Sequence, residues 1–203
     1  VLGALGWGFS LRALYPSLSW MQMTSIHLAS NLAKYLPGYA WQLAGKAYLT
    51  NQHGVKRNAI ISAMILEMAQ LVLLGTGLAL VSSPSEFINR WLPTKFVVST
   101  PFFLLIFLQR TSHRIGLAGV RGSSVFASSV VIGIGWIVFS TAFFLIGRSL
   151  INLPSSSFPG FVFTLIASFI IGLMIVILPG SIGVRESLIV YFLSILQIPS
   201  PIA

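Results

Sequence analysis

Long apolar runs alternate with short polar joints along the chain. Runs of this kind match the ~20 residues that an α-helix needs to cross the ~30 Å hydrocarbon layer of a bilayer. Backbone that faces lipid must satisfy its hydrogen bonds within one element, which favours helices. The pattern therefore predicts an all-α, polytopic transmembrane bundle of about six to seven helical segments. The apolar runs are residues 1–14, 17–36, 59–82, 96–109, 124–147, 160–178 and 183–197.

The polar joints differ in charge. Joints 45–58, 110–123 and 179–187 are richer in Lys and Arg than joints 83–95 and 148–159. Because basic loops are retained in the cytoplasm, we expect the first three joints on the cytoplasmic side and the other two opposite. Aromatic residues near the run ends are expected at the membrane interfaces. These are Trp7, Trp20, Trp41, Trp91 and Tyr48, whereas Trp136 lies mid-run and is expected to pack.

Composition supports a membrane location. Of 203 residues, 56% are hydrophobic and 7% are charged, whereas about 25% are charged in a typical soluble domain. Twelve Lys and Arg against three Glu give a net charge of +9. Since the basic residues lie singly or in pairs beside apolar runs, they favour anionic lipid head groups over nucleic acid. We expect residues 1–203 to form a single transmembrane domain that lacks its native start, and we allow for missing C-terminal helices.

Two Leu-Pro-Gly segments interrupt the apolar pattern, at residues 35–49 and 177–193. Proline removes a backbone donor and glycine loosens a helix, so Pro37, Gly38 and Pro179 are expected to mark helix breaks or re-entrant segments. Paired interruptions in two halves of a membrane protein indicate internal repeats around a binding site. The alternative is two unrelated helix ends.

Glu67 is an acidic residue inside an apolar run, about two turns or ~10 Å from the start of its predicted helix. A carboxylate at that depth is costly and is expected to face a bundle interior or wet cavity, where it has a partner. Gln70 lies three residues on and shares its face. Glu67 therefore serves either transport or the joining of helices.

The second break is a candidate anion site. Gly180, Ser181 and Gly183 leave backbone N–H groups free at the start of a new helix, where anions are attracted. Arg185 would reinforce that attraction, and Glu186 would limit the charge or pair with Arg185 or Lys46. The alternative is a helix capped by Ser181 whose charges are merely solvated.

Polar residues also surround the first break. Lys46 is expected to reach inward and contact a phosphate, or alternatively to snorkel to water. Asn31 and Gln42 are expected to be polar partners within the membrane.

Catalytic patterns are missing from the sequence. There is no Asp and no Cys, and no phosphate-binding loop, zinc-protease or dinucleotide signature occurs. The histidines His27, His53 and His113 lack metal-ligand spacing. We therefore expect no enzyme activity, no metal and no cofactor.

Two segments resemble a known family. SNLAKYLPGYAWQLAGKAYLTNQHGVKRNAIISAMILEMAQ, residues 30–70, resembles the first signature of the lysylphosphatidylglycerol synthase/flippase transmembrane family, and LPGSIGVRESLIVYFL, residues 178–193, resembles the second. Ser181 stands where the family commonly has Gly, and Lys46 where Arg is common. These residues carry no synthase domain, so aminoacylation is not inferred. The matching positions are Asn31, Pro37, Gly38, Lys46, Glu67, Pro179, Gly180, Gly183, Arg185 and Glu186.

The resemblance implies a multi-pass protein that flips an anionic lipid or lipid-linked intermediate between leaflets. Lys46 and Arg185 would contact its phosphate, while Glu67 and Glu186 would orient them or exchange protons. One alternative is a non-catalytic subunit that anchors or regulates a glycosyltransferase, an aminoacyltransferase or a larger membrane assembly. Another is an intramembrane enzyme. We expect a prokaryotic plasma membrane, with an internal membrane as the alternative.

Overall fold

The computed structural model describes residues 1–15, 17–33, 40–83, 121–174 and 183–195. Within these ranges the protein is all-helical, with a short 3-10 turn at Ser155–Ser157. Its seven α-helices are α1 (Leu2–Arg12), α2 (Trp20–Leu32), α3 (Ala40–Gln52), α4 (Arg57–Val81), α5 (Gly122–Leu150), α6 (Phe158–Met174) and α7 (Val184–Ile195).

Three segments are long and apolar enough to cross a membrane. They are Arg57–Val81, Gly122–Leu150 and Ser155–Leu173, and they correspond to three of the predicted runs. The run predicted at 96–109 lies outside the described residues, as do the breaks at Pro37, Gly38 and Pro179. The helical prediction is therefore confirmed for the long segments, while the breaks and the repeat stay predictions.

The polar joint expected at 45–58 is wrong over most of its length. α3 continues to Gln52, and Lys46 and Thr50 are buried within it. Gln42, Lys46 and Thr50 are spaced four residues apart, so they lie along one face of α3. Hydropathy averaged along the sequence does not distinguish a helix with one polar face from a hydrophilic loop.

Side-chain and backbone contacts define the relative directions of α1, α4 and α5. α1 and α5 are antiparallel, because Arg121 N–H donates to Ala13 O at 3.0 Å and Ser10 meets Ser128 at 2.8 Å. α4 and α5 are parallel, since Gln70 bonds Val125 O, and the Trp136 indole bonds Leu71 O.

One end of the bundle is consequently basic. The end of α1 and the start of α5 meet α4 near Leu66, and the start of α4 extends beyond them in the same direction. Arg12, Lys56, Arg57 and Arg121 therefore lie toward one end of the bundle, which we call the basic end. Arg148, in the last turn of α5, lies at the other end. Residues 53–58 and 121–123, the described ends of two basic joints, thus lie toward the same end of the bundle, as their shared charge suggests.

Four helices are much shorter than the hydrocarbon layer of a bilayer. α1 has 11 residues, α2 and α3 have 13 each and α7 has 12, so each spans only about 17–20 Å. α2 and α3 are antiparallel and cross where Gln42 meets Asn31. α7 is antiparallel to α6, with Phe192 against Phe163 and Arg185 over Phe169.

Helix α6 packs against α5 through aromatic rings and one close glycine. Phe161 contacts Phe144, with ring centroids 5.5 Å apart. At Gly147 an added Cβ would lie 2.7 Å from the Phe161 ring, whereas at Gly133 on the same helix it would meet nothing within 4 Å. The two glycines therefore differ in steric room within one helix.

This contrast gives a matched test. We expect Gly147→Ala to destabilise the protein by about 1–3 kcal/mol, because Phe161 must move. Gly133→Ala should be neutral or stabilising by up to about 1 kcal/mol, since alanine favours helix. Unfolding in detergent measures both changes, and equal stability of the two variants would contradict the α5–α6 packing.

Candidate functional site

A buried ion pair joins α3 to α4. The ammonium Nζ of Lys46 donates to Oε2 of Glu67 at 2.7 Å, and their side chains are 3% and 11% exposed. The short connection at residues 53–56 folds α3 back along α4, with Gly54 at φ +77°. Removing two charges from water is costly unless they meet each other closely, so this contact has to form for α3 to pack.

Trp7 supports the ammonium group from α1. Lys46 Nζ lies 4.4 Å from the Trp7 ring centroid, a cation–π distance. Trp7 is fully buried, so its expected place at the membrane interface is wrong. The reason is that Trp7 lies mid-way along α1, between Leu2 and Arg12, where neighbouring helices cover it. Trp41 and Tyr48 on α3 are exposed.

Gln70 is the centre of a second polar contact, between α1, α4 and α5. Its Oε1 accepts from Ser10 at 3.2 Å and from Ser128 at 3.0 Å. Its Nε2 donates to Val125 O at 3.0 Å and to Ser129 Oγ at 2.9 Å. These bonds fill the hydrogen-bonding capacity of the amide, so Gln70 joins three helices.

Sequence reasoning named Glu67 among the residues that would orient Lys46 and Arg185, but it missed the partners of Gln70. Ser10, Ser128 and Ser129 are small residues in apolar runs, like many serines that only permit close packing. No spacing distinguishes them within the sequence. Only the four-residue spacing of Gln42, Lys46 and Thr50 was a usable signal for a polar helix face.

The two short helices α2 and α3 are joined by side chains as well. Gln42 Nε2 donates to Asn31 Oδ1 at 2.5 Å. These residues were expected to be polar partners, and the structure brings them together with each other rather than with Lys46.

Arg185 lies in a separate contact. Its Cζ is 4.2 Å from the Phe169 ring centroid, and that ring meets Trp136 at 5.1 Å. The Trp136 indole donates to Leu71 O at 3.3 Å, one helical turn beyond Glu67. Arg185 therefore lies near the depth of the ion pair, although the structure does not show a contact between them.

Glu186 has a local role at the start of α7. Its Oε2 accepts from the Gly183 N–H at 2.8 Å, and Gly183 has φ +84°, a conformation that glycine adopts readily. The expected pairing of Glu186 with Lys46 is wrong, because Lys46 pairs with Glu67. Free N–H groups at its own helix start are nearer partners for Glu186.

Other expected site residues lie outside the described part of the chain: Gly180 and Ser181, together with the breaks at Pro37, Gly38 and Pro179. Among the residues described, no group of three or more His, Asp or Glu is placed to hold a metal ion. No protein-family model, curated protein or solved structure matches the chain. The chemistry of the site is therefore argued from its geometry.

Because Lys46 and Glu67 are paired, we expect the stability losses from mutating them not to be additive. Lys46→Met leaves Glu67 without its partner, and we expect a loss of about 3–5 kcal/mol of stability. The double variant Lys46→Met/Glu67→Leu should recover to within about 2 kcal/mol of the wild type, since no unpaired charge remains. Reversible unfolding in detergent gives the coupling energy.

Glu186→Gln is the matched control, because Glu186 is an exposed carboxylate. We expect it to cost at most about 1 kcal/mol. Losses from the Lys46 and Glu67 variants that simply add would contradict a stabilising pair.

Proposed function

We propose that the chain is a multi-pass membrane protein that binds an anionic lipid or lipid-linked intermediate and carries its head group between leaflets. The observation that supports this most is the buried pair of Lys46 on α3 with Glu67 on α4, a helix long and apolar enough to span a membrane. Charged residues at such depth are costly and mark substrate or ion pathways. The resemblance of residues 30–70 and 178–193 to the flippase family belongs to the same proposal.

The depth of the pair suits a head group part-way across. Glu67 is ten residues from Arg57, or about 15 Å along α4, so it lies well inside the ~30 Å hydrocarbon layer when Arg57 is in the head-group region. The starts of α3 and α7 lie within about two turns of that depth. Because the start of a helix carries partial positive charge, two such ends favour an anion there.

Lys46 can exchange Glu67 for a phosphate without leaving a net charge in the site. While Lys46 is bound to Glu67, the site has no net charge. When a phosphate approaches, a proton taken from water neutralises Glu67, and the ammonium of Lys46 then pairs with the phosphate. Both side chains are buried. Neutrality at each step avoids burying an uncompensated charge.

Arg185 is proposed as a second phosphate contact at a similar depth. A guanidinium binds phosphate through paired hydrogen bonds. A head group leaving Lys46 would therefore find another cation within the same half of the bundle.

The second candidate is a non-catalytic subunit of a membrane assembly. The observation that favours it is that Lys46 and Gln70 have their polar groups satisfied within the protein. Such satisfied contacts are what a packing role requires. Copurification of a stoichiometric partner, combined with no lipid exchange by the isolated chain, would select this candidate.

Lipid exchange tests the first candidate. We expect Lys46→Gln and Arg185→Gln each to slow leaflet exchange of fluorescent phosphatidylglycerol in proteoliposomes by about tenfold or more, which corresponds to about 1.4 kcal/mol of barrier. Arg148→Gln is the control, because Arg148 is an exposed arginine at the far end of α5. Unchanged exchange in folded Lys46 and Arg185 variants would rule out their proposed role.

A further inference from the structure

Helices α3 and α4 leave a continuous groove on their outer surface. One part has a volume of about 460 Å³ and includes Asn51 and Arg57 in its lining. The next part has about 560 Å³ and continues along α4 to Leu73. The two parts share Leu43, Ile61 and Met64, so they form one groove, which we call the α3–α4 groove.

The two parts of the groove differ in polarity, as the two ends of a lipid do. Its polar members Tyr48, Asn51 and Arg57 all line the first part. The second part is apolar throughout, with Ile65 and Val72 among its walls. One end can therefore meet a head group while the rest meets hydrocarbon.

The length of the groove matches one leaflet. Arg57 and Leu73 are sixteen residues apart, which is about 24 Å along α4. Half of a bilayer with its head-group region measures about 20–22 Å. Since Arg57 is at the basic end, a lipid in the groove would have its head group at that surface and its chain toward the bundle centre.

The charge of the head-group end is complementary to phosphate. Arg57 is exposed, and Lys56 precedes it at the start of α4. In the described part of the chain, the ion pair is between Lys46 and Glu67, so Arg57 keeps its charge for an outside partner. Basic residues beside a membrane surface attract anionic lipids.

We propose that the α3–α4 groove holds one phospholipid with an anionic head group, whose phosphate contacts Arg57 and Asn51 and whose acyl chain lies along Ile61, Ile65 and Leu73. This site is separate from the ion pair, since Lys46 points from α3 toward Trp7 in the interior. It does not rest on the proposed function, because a lipid held here stabilises the contact of α3 with α4 whether or not lipid is carried.

Photolabelling of the full chain tests the site. The protein is reconstituted into phosphatidylcholine vesicles that contain a minor fraction of phosphatidylglycerol with a diazirine on its acyl chain. Parallel vesicles carry the same diazirine on phosphatidylcholine. We expect groove residues to be labelled about fivefold more by phosphatidylglycerol, the ratio that one basic residue near the surface provides. Peptide mass spectrometry locates the labels.

Two substitutions at the same end of the bundle separate a site from a diffuse charge effect. Arg57→Gln should reduce phosphatidylglycerol labelling to the phosphatidylcholine level. Arg121→Gln removes an exposed arginine at the start of α5 and should leave the labelling unchanged. An equal reduction by both substitutions would overturn the proposal, as would equal labelling by the two lipids.

A third variant tests whether the space of the groove is needed, without changing Arg57. Ala44 is exposed and lines the groove, so Ala44→Phe fills the space and should reduce labelling by either lipid. Labelling that persists in Ala44→Phe would contradict a chain bound in the groove. Cross-links at the groove between two copies of the protein would also contradict it, because a second copy would then be the occupant.

Discussion

The free-energy cost of placing Lys46 and Glu67 in an apolar bundle determines how its neighbourhood is built. Two unpaired buried charges would be too costly there. The ammonium of Lys46 and the carboxylate of Glu67 therefore lie 2.7 Å apart. Trp7 covers the ammonium from α1, and this requires α1, α3 and α4 to come together at one depth.

The helices differ in how their side chains hold them together. Gln70 connects α1, α4 and α5 through side-chain hydrogen bonds, and Trp136 adds a bond to Leu71 O. Helix α3 instead packs most extensively on α2. Its side-chain bonds to other helices, among the residues described, are Lys46 to Glu67 and Gln42 to Asn31. An apolar cluster that includes Trp7, Met23 and Ile60 also holds α2 to α1 and α4.

Sequence reasoning predicted the long helices because twenty apolar residues have few alternatives to a membrane span. It failed at α3, where Gln42, Lys46 and Thr50 lower the average hydropathy although they share one face. The depth of Glu67 indicated that it needed a partner, but Lys46 and Arg185 were both candidates. The choice of Lys46 depends on how α3 folds back on α4, and the burial of Trp7 depends on packing between distant helices. Such long-range contacts leave no local pattern in one sequence.

The two functional interpretations differ in one physical property of the ion pair. A subunit that only packs needs the pair to stay closed, whereas a lipid carrier needs Lys46 to exchange Glu67 for a phosphate. Both members of the pair are buried, so the exchange requires Glu67 to gain a proton as the ammonium leaves, since an uncompensated charge would otherwise stay inside the bundle. A pair that only packs requires no proton, because its two charges neutralise each other permanently.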